Sequence, residues 1–160
     1  MLASEALLAG VIAFNETHKE TELTSFGQDR LVAAEARGPL TDPAYRAALE
    51  TSQRLSGPEG LDRVLSEHNL DALVAPTGSP AWPIDLINGD PGGLGSASPA
   101  ARVGYPLVSV PAGVASGLPV NITFIGRCFG EATLVQLAFA FEQATRVRQP
   151  PRFMPTLPFH

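Results

Sequence analysis

One lysine and one cysteine are all that this chain of 160 residues holds of either type, and each scarcity closes off a class of function. Lys19 and ten scattered arginines leave a formal net charge of −5. That gives no basic patch to neutralise phosphates, so no nucleic-acid partner is expected. Cys128 has no second cysteine to pair with, which excludes an internal disulfide, fits a reducing compartment and points to the cytoplasm. The three histidines, His18, His68 and His160, lie far apart, and no C-x-x-C or H-E-x-x-H spacing occurs, so neither a metal nor a cofactor is expected. Long apolar runs are missing too. The stretch "ALLAGVIAF" near the N-terminus is too short to span a bilayer and follows Glu5, where a signal peptide would carry positive charge. It reads as a packed helix, and no membrane association is expected. Internal repeats, heptads and low-complexity tracts are also absent.

What is present suits a single α/β domain over residues 1–160, helical to about residue 70 and strand-containing from 71 onward. Ser4 can cap a helix running to about Asn15, and "SFGQDRLVAAEARG" continues the helical region until Gly38 ends it. In "LTDPAYRAALETSQRL", Thr41 or Asp42 supplies a cap and Pro43 fits the first turn. Tyr45, Ala48 and Leu55 mark its apolar face. "GPEG" at 57–60 interrupts or kinks that helix before "LDRVLSEHNL". "DALVAP", Asp71 to Pro76, reads as a short buried strand. A loop rich in glycine and proline follows from Thr77 to Ser98, and Trp82, Ile84, Leu86 and Ile87 argue against its being disordered. "SPAARVGY" is a short helix capped at Ser98. "PLVSVPAG" and "LPVNITFIG" are two strands joined by a glycine-rich turn at "GVASG". In "GEATLVQLAFAFEQATRV" the apolar positions Leu134, Val135, Leu137, Phe139 and Phe141 nearly encircle the helix, which predicts burial on more than one side.

The stretch "GGLGSAS", Gly92 to Ser98, invites two chemical readings, and neither survives. A phosphate cradle needs a following lysine, and there is none. A serine nucleophile on a strained turn needs G-x-S-x-G, which neither Ser96 nor Ser98 satisfies. None of the histidines is placed to serve a serine as base: His18 lies in a polar run, His68 ends a helix and His160 is the last residue. Cys128 follows Arg127, a neighbour that favours a thiolate. A small buried hydrophobe is nonetheless the commoner role of a lone cysteine and the one expected here.

Four segments carry a resemblance: "LDALVAPTGSPAWPIDLINGD", "SPAARVGYPLVSVPAG", "GLPVNITFIGR" and "EATLVQLAFAFEQAT". In that order and spacing they resemble the C-terminal part of the amidase signature family. The upstream "AFNE", "ELTSFGQDRL" and "ARGPLTDPAYRAAL" are similar to the helical region that precedes it. The resemblance implies the C-terminal portion of the amidase signature fold, with helices packed on a small mixed or antiparallel sheet. It also implies that these residues are roughly the last third of a longer protein, either a piece of it or a truncated relic beginning at Met1.

The activity it implies is amide hydrolysis by a serine nucleophile, a second serine in a cis peptide and a lysine base, all upstream of the matched region. No catalytic residue is therefore expected in this chain, and Lys19 reads as a solvated charge. The loop after "APT" is expected to border the substrate cleft, making Trp82, Asp85 and Asn88 candidate pocket residues, unless Trp82 only pins the loop to the core. Asn121 stands where the family usually has glycine, and asparagine tolerates positive φ better than other residues with a side chain. The expected partners are a second copy of the chain or a separate N-terminal amidase portion, with a small amide as substrate only in the complete enzyme. The alternative is a non-catalytic oligomeric or partner-binding module derived from an amidase.

Overall fold

The structure, a computed structural model, describes residues 5–151 and 153. Ser4 and His160 lie outside the described residues. The chain divides into two compact units, Met1–Ala47 and Ala48–His160.

The first unit holds α1 (Glu5–Thr17), α2 (Lys19–Glu22) and α3 (Asp29–Glu35). Gln28, just before α3, ties it to α1: its Nε2 donates to the Ile12 carbonyl at 3.2 Å, and its Oε1 accepts from Asn15 Nδ2 at 3.2 Å. Three short helices have too little shared surface to enclose a core, and no residue of this unit whose burial is described is buried. The apolar segment of α1 is helical as read, but Val11 and Phe14 remain exposed rather than packed.

Helix α4 (Pro43–Ser56) begins where the sequence places it, with Asp42 Oδ1 accepting from the Ala44 amide at 2.7 Å and Pro43 in the first turn. Its expected apolar face stays open, with Tyr45 and Leu55 both exposed. The "GPEG" irregularity resolves into a π turn, Gly57–Asp62, that runs into α5 (Arg63–Glu67). After it come β1 (Leu73–Pro76), α6 (Ser98–Val103), β2 (Leu107–Ala115), β3 (Leu118–Ile125) and α7 (Glu131–Thr145).

The sheet is antiparallel throughout, in the order β1-β3-β2, with Leu73 and Leu107 both opposite Ile125. The turn between β2 and β3 is tighter than "GVASG" suggests. Only Ser116 and Gly117 are unpaired there, with φ of 51° and 79°, the positive pair a tight hairpin requires. Asn121 needs no such tolerance, because it sits inside β3 opposite Pro111.

Alternation along the strands sends side chains to two cores. Leu61 of the π turn, Ala100 of α6 and Ile125 pack on one face of the sheet with Leu73 and Leu107. Phe124, Leu134 and Ala138 pack on the other with Val108 and Ile122. The sheet is thus a middle layer between α6 with the π turn and α7. Helix α7, expected to be covered on several sides, buries only Leu134 and Ala138, while Val135 and Phe139 are 58% and 62% exposed. Its packing is mainly against β2 and β3 on one face of the sheet. Ser98 also departs from expectation: it is the first residue of α6, Ala97 holds the capping position, and no side chain caps the helix.

The prolines of the two edge strands, Pro76 and Pro111, fall where they cost no ladder bond. The Thr77 amide donates to the Asn121 carbonyl and the Gly126 amide to the Pro106 carbonyl. Alternation then points the backbone nitrogens of Val74 and Pro76 on β1, and of Leu107, Ser109 and Pro111 on β2, away from β3. The β1 edge therefore ends in a residue without an N–H, and the β2 edge is interrupted by one at Pro111, which shortens each row open to strand addition.

Asp62 Oδ2 accepts from the Tyr105 hydroxyl at 2.6 Å, fastening the π turn to the segment that leads into β2. This bond to the carboxylate, together with partial desolvation, pushes the phenol up to about 12. A raised pKa keeps its stabilising contribution below the ordinary value of 10.0 and loses it as pH climbs through about 12. Tyr105→Phe is expected to lower stability by about 1 kcal/mol in denaturant unfolding and to remove the late phenolate absorbance step of the native protein.

Candidate functional site

The long loop after β1 is folded onto itself. A bridge between Gly78 and Gly95 closes its neck, the Ser96 amide donates to the Thr77 carbonyl at 3.4 Å, and Ser79 Oγ accepts from the Leu94 amide at 3.1 Å. Below the neck, Thr77 Oγ1 lies 2.8 Å from Ser109 Oγ and 2.6 Å from Thr123 Oγ1, joining hydroxyls from the end of β1, β2 and β3. The loop therefore leaves the sheet from a fixed base.

Trp82, Asp85 and Asn88 all lie in this loop, and only two of them meet. Asp85 Oδ1 accepts from the amides of Ile87 and Asn88, both at 2.9 Å, and its Oδ2 accepts from Asn88 Nδ2 at 2.8 Å. The sequence D-L-I-N thus forms an aspartate-initiated turn, locked by its own asparagine. Trp82 turns elsewhere, donating its indole N–H to Asp90 Oδ1 at 3.0 Å and packing against Gly93. These contacts tie the loop to itself and not to the core. Asp90 and Ser79 complete the arrangement and were not singled out from sequence. The clustering of small polar residues with glycine in "NGDPGG" is the signal that marks such turns.

The three hydrogen bonds hold the Asp85 carboxyl below its usual 3.8, the side chain of Asn88 contributing most. A lowered carboxyl pKa contributes stability that is complete above the usual value and lost as pH falls through the folded one. The turn is therefore expected to loosen only below pH 3.8. Hydrogen exchange of the Ile87 and Asn88 amides, corrected for intrinsic pH dependence, measures this, and Asp85→Asn should raise their exchange already at neutral pH.

The other candidate groups remain dispersed. Cys128 is exposed, which removes its reading as a small buried hydrophobe. Its neighbour Arg127 donates to Ser66 Oγ at 3.0 Å. The hydroxyl of Ser96 is enclosed without a hydrogen-bond partner. Lys19 lies on the surface 3.9 Å from Glu16, and His18 stacks on Phe14. Among the described residues there is no cluster of His, Cys, Asp or Glu able to hold a metal ion, and no helix long and apolar enough to cross a membrane. A cavity of about 320 Å³ beside the π turn is lined by Leu55, Leu61, Val64, Leu73, Pro99 and Arg102, and the loop takes no part in it.

Comparison with known proteins places this architecture. No protein-family model matches the chain. A probable amidase of Arabidopsis thaliana is 38% identical over 151 residues, which is 92% of this chain and 26% of the relative. The A subunit of the glutamyl-tRNA(Gln) amidotransferase of Exiguobacterium sibiricum is 40% identical over 89 residues, 52% of this chain and 18% of its own. Among solved structures, the native peptide amidase of Stenotrophomonas maltophilia is 49% identical and superimposes with a TM-score of 0.83 over 91% of this chain and 29% of that one. Helices on both faces of a small antiparallel sheet, aligned across nearly the whole chain, define an amidase fold. The chain belongs to the amidase signature family and corresponds to the C-terminal part of its fold. It spans less than a third of the length of these relatives.

Proposed function

We propose that this segment is the C-terminal part of an amide hydrolase of the serine, cis-serine and lysine type, whose nucleophile and base lie outside these 160 residues. The observation that supports it best is the match to a peptide amidase across nine tenths of the chain. In the chemistry proposed, a serine oxygen bonds to the amide carbonyl carbon and the carbon–nitrogen bond breaks. The nitrogen leaves as an amine or ammonia, taking a proton relayed through the second serine, and water then releases the acid from the ester. The segment supplies scaffold and, through the loop held by Trp82, Asp85 and Asn88, one wall of the substrate cleft. The single cysteine favours a cytoplasmic setting.

The exposed Val135 and Phe139 on α7 favour association as well. The partner is either a second copy or the N-terminal portion of an amidase, and a purely structural, non-catalytic module is the second reading that this surface supports. Sedimentation of dilute protein with a hydrophobic dye tests the association. Self-association or dye binding is expected, and a monomer that binds no dye contradicts it.

The catalytic reading is tested by exchange. Replacing the matching segment of the Stenotrophomonas peptide amidase with residues 5–151 of this chain is expected to give an enzyme that hydrolyses peptide amides. A folded chimera without turnover overturns the reading.

A further inference from the structure

The loop after β1 uses its polar side chains on itself. Both oxygens of Asp85, the amide of Asn88, the indole N–H of Trp82 and the hydroxyl of Ser79 all bond within residues 79–94. What it turns outward is apolar: Ile84, Leu86 and Ile87 are 88%, 78% and 93% exposed. Between Thr77 and Ser98 there is no Lys, Arg or His, and Asp85 and Asp90 are the only charges.

Resting on the reading that this loop walls the cleft, we propose that it selects the substrate by the group next to the scissile carboxamide, which must be large, apolar and not anionic. Peptide carboxamides ending in phenylalanine or leucine fit that description, with Ile84, Leu86 and Ile87 as the specificity-determining residues. Burial against three aliphatic side chains rewards an apolar group. The side chains of Ser79, Trp82, Asp85 and Asn88 are engaged within the loop, which lowers the reward for a polar group, and two carboxylates with no cation disfavour a negative one. Because the turn is already closed by its own hydrogen bonds, little ordering cost falls on binding.

The experiment measures kcat/KM of the exchange chimera for peptide amides ending in phenylalanine, glycine and aspartate. Phenylalanine should be preferred over glycine, and Ile84→Ser combined with Ile87→Ser should cut that preference about tenfold, chiefly through KM. The aspartate-ending amide should be the poorest, and added salt should narrow its disadvantage. A phenylalanine-to-glycine ratio that holds in the double variant, at an unchanged melting temperature, overturns the proposal while leaving the amidase reading in place. A folded chimera that turns over none of the three amides instead removes the reading on which the proposal rests.

Discussion

Purified as 160 residues, the protein is expected to hydrolyse no simple aliphatic or aryl amide above background. Acyl transfer needs a nucleophile held against a base. The two serines of the glycine-rich stretch lack that arrangement: Ser96 Oγ has no hydrogen-bond partner, and Ser98 makes no capping bond at the start of α6. Loss of the nucleophile in a serine hydrolase lowers kcat on the order of a millionfold, so any turnover comparable to that of the exchange chimera is informative. Activity that survived Ser96→Ala and Ser98→Ala but disappeared with Cys128→Ala would transfer the chemistry to the exposed thiol.

The largest expected effect on stability comes from Gly60→Ala. A Cβ at this position would overlap the Leu55 carbonyl oxygen, a backbone atom that cannot rotate away. Relief requires the π turn to shift. That turn carries Leu61 into the core against Ala100 and Ile125, and it holds Asp62 under the Tyr105 hydroxyl. A loss of about 3 kcal/mol in denaturant unfolding is expected, with the native Tyr105 titration displaced as well. Gly89→Ala is the contrast. It has nothing within 4 Å of its added Cβ and a φ of 73°, so only the smaller cost of backbone strain applies.

These two cases mark how far the sequence could be read. The strands at "LVAP", "PLVSVPAG" and "LPVNITFIG" were legible because an apolar run bounded by proline and glycine is too short for a helix and too apolar for an exposed loop. The cap at Asp42 and the irregularity at "GPEG" followed from local chemistry in the same way. That the irregularity is a π turn was not legible, since it depends on Leu61 and Asp62 finding partners in Ala100, Ile125 and Tyr105. The burial of α7 was misread because periodicity reports which faces are apolar, whereas coverage depends on what else is packed there.

In the candidate site, the location of Trp82, Asp85 and Asn88 in one loop was legible, and their mutual use was not. An aspartate three residues before an asparagine predicts an internal turn as readily as a pocket. Ser98 failed as a cap for a similar reason: helix start and capping position differed by one residue, a distance that propensity does not resolve.

The central claim is that the reactive serine lies outside this segment. A fluorophosphonate, which phosphonylates activated serines, tests it directly when its adducts are located by peptide mass spectrometry on the isolated chain and on the exchange chimera. The account predicts no adduct on the isolated chain, and in the chimera a stoichiometric adduct on a serine beyond the exchanged residues. A stoichiometric adduct on Ser96, Ser98 or any other residue of the segment would contradict it.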